Sequence, residues 1–184
     1  VEKKTIGHKI GEYLLYLTTA DLGTLLLKLL FHVVIAPAVD EVVNRSGTQA
    51  MVLRDTIYHS LCLFCYIALF FILLWKNPVS RNPYLTRTYG KPYSYLSDLW
   101  EVCKTDFPAA FVAGAIFNFP LHFTVLLWGD IHYIPTVFPP IYASWKLFGN
   151  VFLSYFVLTF SVSLLLLLFL PLIHILWNKG RLRP

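Results

Sequence analysis

Four long apolar runs dominate the chain, and the polar residues between them gather in short clusters, without the strict alternation of a half-buried strand. The first run extends from Tyr13 to about Ile35, where Pro37 and two acids in APAVDE are expected to end it. The second, IYHSLCLFCYIALFFILLW, covers 57–75 and stands between Arg54–Asp55 and Lys76–Asn77–Pro78. The third covers 107–128 and is closed by GDIHYIPTVFPP. The fourth covers 151–177, long enough to tilt or bend at Pro171. A helix needs roughly 20 residues to cross about 30 Å of hydrocarbon, so each run can span a bilayer. Trp75, Trp128 and Trp177 sit at run ends, where amphipathic rings favour the interface. The fold class expected is all-α: one polytopic membrane domain over 1–184 with four transmembrane helices.

Composition agrees. Of 184 residues, 57% are hydrophobic and 14% charged, against roughly 45–50% and about 25% in soluble domains. The longest polar stretch, around KNPVSRNPYLTRTYGKPYSYLSD, has no apolar period that could build a soluble core. The net charge of +5 belongs to basic loops flanking the spans, so nucleic acid is not expected as a partner. Those charges also orient the chain. With four spans, the N-terminal arm, the loop after the second run and the C-terminal tail hold eleven Lys and Arg on one side. Arg45, Arg54 and Lys146 fall on the other. The positive-inside bias therefore puts both termini on the same, cytosolic or matrix, side. Three cysteines, Cys62, Cys65 and Cys103, make no disulfide framework, and a lone CLFC on a helix is expected to be core. VEKKTIGHKIGEYLL lacks the short apolar core and small residues of a secretory signal peptide.

Polar residues inside the runs are the candidate chemistry, because hydrocarbon makes them costly. At 100° per residue Thr18, Asp21, Thr24, Lys28 and His32 form one stripe on the first helix. It reads either as a proton or ion path or as a polar seam packed against another helix. No second carboxylate lies inside spans two to four to receive a proton, which favours the seam. In the third run Ala110, Gly114 and Asn118 recur every four residues and line one face. Small residues at that spacing let a neighbouring backbone approach, and an Asn can hydrogen-bond across the contact. Pro120 removes a helix hydrogen bond to Ile116 and is expected to bend the helix.

His32, His59 and His122 come out at similar depth on three helices, with His132 just beyond. That arrangement would suit a bis-histidine haem or a quinone site, although His32 and His59 lack flanking small residues to admit a porphyrin. Interfacial hydrogen bonding is the plainer role, and no metal site is expected. Di-iron histidine clusters, Gly-rich phosphate loops and Ser–His–Asp sets are absent from the sequence, so no catalytic residue is assigned and no enzyme activity is expected.

The second half resembles the four-span family of peroxisomal and inner-mitochondrial membrane proteins described as channel-like. Trp100, Lys104, Asp106 and Pro108 match its W…K…D-x-P run. Phe119–Pro120 stands in place of its W-P, Ile134–Pro135 in place of its V-P, and Asn150, Leu153 and Ser154 match its final motif. The chain departs from the family in the spacing of the two prolines and in the missing Asn-Phe between them. The resemblance covers about 55 residues. It implies a four-span inner-mitochondrial or peroxisomal protein, with a non-selective pore among its activities. Taken together, the expected role is a non-catalytic structural or accessory subunit of a membrane complex, with other membrane subunits and lipid as partners. The mitochondrial inner membrane, in a respiratory-chain or ATP-synthase type of assembly, is the expected home. A small channel or transporter is the alternative, and a haem or quinone subunit the third reading.

Overall fold

The computed structural model describes residues 5–76, 95–128 and 138–179, with Ser97, Ile175, 121–128 and 177–179 as backbone only. Every element among them is helical: α1 (Ile6–Leu30), a π-helical turn (Phe31–Ile35), α2 (Ala36–Ser46), α3 (Thr48–Lys76), α4 (Tyr95–Trp128), α5 (Pro139–Phe148) and α6 (Val151–Lys179). The polar loop over 77–94, the connection over 129–137 and the tail over 180–184 lie outside the described residues.

Local chemistry explains the element ends. The Thr5 side chain accepts from the His8 amide and caps α1. Pro37 does not end the first helical run, contrary to the sequence reading. The chain widens into a π turn, in which the Ala36 amide reaches back to the Phe31 carbonyl. Pro37 then falls in the first turn of α2, where a missing N–H costs little. The run from Ile6 to Ser46 is 41 residues long, about 60 Å at 1.5 Å per residue. Gly47, at φ 90°, turns the chain into α3, a backbone conformation that side chains disfavour.

Three helical segments among the described residues are long and apolar enough to cross a membrane: Ile6–Ser46, Thr48–Lys76 and Val151–His174. The third apolar run lies within α4, whose helix begins twelve residues earlier, at Tyr95, and continues through both Pro108 and Pro120. Hydropathy locates the part of a helix that suits lipid, whereas α3 and α4 extend beyond it on charged turns.

The helices pack side by side. α4 lies along α6, α1 sits between α3 and α4, and the short α5 closes against α3 and α6. Tyr66, Phe70 and Leu74 of α3, and Leu158, Val162, Leu166 and Leu170 of α6, recur every four residues and are buried. These are i±4 ridges, and they meet Leu17 and Ala20 of α1 and Ala109, Ala110 and Ala113 of α4 in one core. Contacts of His32 with Tyr58 and of Tyr16 with Phe70 run α1 and α3 antiparallel. Asp98–His174 and Asn118–Thr159 do the same for α4 and α6. The start of α1, the start of α4 and the end of α6 thus share one end of the bundle.

Candidate functional site

The stripe on α1 divides once the helices are packed. Asp21 and Thr24 turn into the core, 4% and 1% exposed, whereas Thr18 and His32 face outward. Thr18 and Thr24 each donate to the carbonyl four residues back, Leu14 and Ala20, at 2.8 Å, which satisfies them within their own helix. Asp21 has no such local partner. Its Oδ1 accepts no hydrogen bond from any described residue, and its charge is felt by Tyr66 and Cys62 of α3. An unsatisfied buried carboxylate oxygen is expensive, which makes Asp21 a chemically exceptional group in the core.

Two turns further along, Lys28 leaves the core and enters a cavity of about 550 Å³ between the π turn, α3 and α5. Lys28 Nζ lies 5.8 Å from the centre of the Tyr142 ring, and Lys146 Nζ lies 5.5 Å from it. His32 and His59 both line this cavity. The Tyr58 hydroxyl stands 3.3 Å from His32 Nε2. His59 Nδ1 is 2.6 Å from the Asp55 carbonyl, and since a carbonyl only accepts, Nδ1 carries the proton and Nε2 is left as its other polar atom. Arg54 closes the rim, bonded to Asp55 at 2.9 Å and also to Asp40. Of the three candidate histidines, His32 and His59 share this cavity, and the side chain of His122 lies outside the described residues. Among the described residues no group of three or more His, Cys, Asp and Glu stands close enough to hold a metal ion.

The small-residue face of α4 meets α6. Ala110, Gly114 and Asn118 are buried, and Asn118 Nδ2 donates to Thr159 Oγ1 at 2.8 Å. A Cβ on Gly114 would stand 3.4 Å from Thr159 Cγ2, so the glycine sets how closely the two helices approach. Pro120 is exposed and stays within the continuous helix.

Two ionic clusters escaped the sequence reading. Asp106 accepts from Tyr13 Oη at 2.7 Å and from Lys9 Nζ at 2.8 Å, tying the first turns of α1 to α4. Asp98 Oδ2 and His174 Nδ1 pair at 2.8 Å with both side chains almost wholly buried, tying α4 to α6. Partners 76 to 97 residues apart leave no local signal in a sequence. α5 was missed too, although Pro139–Pro140 at its start, Lys146 in its last turn and Gly149 after it, at φ 65°, form a recognisable set of helix ends.

Residues that carry the family resemblance have local roles. Asp106 is the acceptor just described, and Lys104 covers the exposed Trp100 ring at 4.6 Å. Asn150 Oδ1 accepts from the Leu153 amide at the start of α6, and Ser154 Oγ donates to Ser144 Oγ of α5 at 2.8 Å. Ile134–Pro135 lies outside the described residues. Comparison with protein-family models, with curated proteins and with solved structures gives no match.

Proposed function

We propose that this chain is a non-catalytic subunit of a larger membrane assembly, crossing the bilayer four times with both termini on one side. The observation that carries the reading is the helical arm made by α2 and the first turns of α3. It extends past the predicted spans, yet Val42, Val52 and Leu53 on it are each more than 60% exposed. Lipid can cover apolar side chains within a span, but beyond the spans they stand in water unless a protein covers them. The arm has no soluble core of its own to bury them. A partner subunit resting on the arm supplies that cover. The inner mitochondrial membrane is the proposed home, supported by the motif resemblance alone.

Native mass in mild detergent, read together with visible absorption, tests the proposal. The wild-type chain is expected in a large particle with other subunits and without a Soret band. Val52→Lys with Leu53→Lys is expected to release it as a smaller species of unchanged helicity. A wild-type chain that purifies alone would sink the subunit reading, and a Soret band would move attention to His32, His59 and His122.

One observation favours transport as a second reading: Asp21 and Thr24 point inward, with Lys28 entering a cavity further along the same helix. Ion or proton flux into liposomes that Asp21→Asn abolishes, with assembly intact, would support it.

A further inference from the structure

We infer that Asp21 is a proton-binding site within the membrane domain, a carboxyl group that carries its proton at neutral pH. Three carboxyl side chains are buried among the described residues, and two of them have partners. Asp98 pairs with His174, and Asp106 accepts from Lys9 and Tyr13. Asp21 is just as deeply buried, yet it enters no ion pair with a described residue, and its Oδ1 accepts no hydrogen bond. It lies eight residues inside the first predicted span, about 12 Å from the start of the run at Tyr13. An ionised carboxylate left alone in such a place is so costly that it takes up a proton instead.

Among the described residues, the helices around Asp21 bring no cation to neutralise it. From α3, Tyr66 and Cys62 feel its charge, and neither side chain can carry a positive one. α4 runs alongside α1 in the same direction, and the Tyr13–Asp106 contact sets Asp21 level with Gly114, eight residues further along each helix. From Phe107 to Asn118 that helix has no ionisable side chain, and the Asn118 amide nitrogen is already given to Thr159. On α1 itself the nearest ionisable residues in sequence are Tyr16 and Lys28. Lys28 turns to Tyr142 of α5, where Lys146 also stands, and makes no pair with Asp21. A metal ion would require several ligands, and no cluster of three or more His, Cys, Asp and Glu is found among the described residues. A proton requires only the one carboxyl.

The site stands whether or not ions pass through the chain, so the test reads the proton directly. Infrared spectra of the full-length chain in phosphatidylcholine vesicles at neutral pH are expected to show the C=O stretch of a protonated carboxyl. The band should shift in D2O and shift again in protein grown with isotope-labelled aspartate. Asp21→Asn keeps the shape of the side chain and removes its acidic proton, so it should abolish the band while helical signal is kept. Asp21→Glu should keep a band of altered position, and Asp106→Asn should leave the band as it is in wild type. Raising the pH should fade it, as an acid that gives up its proton must. A wild-type spectrum with no band beyond that of Asp21→Asn would overturn the inference. So would sodium that erases the band at constant pH, since the site would then take a metal cation. A band in a chain that passes no ions keeps the site and sinks only the transport reading, whereas flux lost in Asp21→Asn without any band does the reverse.

Discussion

Asp106 shows how much a single carboxylate can organise at the end of a bundle. It receives both the Lys9 ammonium and the Tyr13 hydroxyl, and it is itself only 8% exposed. Removing it would strand a cation and a phenol in a low-dielectric corner, and losing one partner of such a pair costs more than the pair contributes. Asp106→Ala is expected to lower stability by about 2–4 kcal/mol, with Asp106→Asn milder because it keeps an acceptor. Lys104→Ala, two positions away, is the contrast. Its ammonium rests on the exposed Trp100 ring, and its loss should stay within about 0.5 kcal/mol. Unfolding in mixed micelles, followed by helical signal, separates the two. Equal effects would mean that Asp106 is solvated and ties nothing together.

Along α4 the decisive quantity is distance from α6. Leucine at position 114 would put γ-carbons where Thr159 and its carbonyl already stand, because even a Cβ reaches 3.4 Å and 3.6 Å from them. Gly114→Leu should therefore force the helices apart, break the Asn118–Thr159 bond and cost about 1–3 kcal/mol. Gly114→Ala should be near neutral, since its contact is ordinary and alanine favours the helix. The same unfolding series, with a disulfide trap between α4 and α6 as proximity gauge, reads both variants. This face was legible in advance because small residues every four positions have few other uses in an apolar run. The long helices were legible from the length of the apolar runs. What could not be read was how the polar stripe of α1 would divide. Whether Thr18 or Asp21 turns inward depends on where α3 and α4 lie, and Asp98–His174 depends on a pairing across 76 residues. The end of the first helix was misread because proline was taken as a stop. Beside a π turn it becomes the first turn of the next segment.

For the molecule as a whole, the open question is how the bundle stands in its membrane. Its outer surface is apolar, with Leu15, Leu22, Leu26, Phe64, Ile116, Phe156 and Leu168 exposed on different helices, and lipid is the solvent such a surface requires. The antiparallel pairing of α1 with α3 and of α4 with α6 brings the start of α1 and the end of α6 to one end of the bundle, where Cys103 of α4 is exposed. The α2–α3 turn stands at the other end. If four helices cross the bilayer, the eleven Lys and Arg of the arm, loop and tail share the side of Cys103, and Arg45, Arg54 and Lys146 face away. A membrane-impermeant thiol reagent on sealed, oriented vesicles tests this in a background where Cys62 and Cys65 are serine. Cys103 and tags on either terminus should react from the same side, and a cysteine replacing Ser46 only from the opposite one. A C-terminal tag that reacts with the Ser46 position instead would mean an odd number of crossings. In that case α4 would lie along the bilayer surface or within a partner, and the charge bias would need another cause.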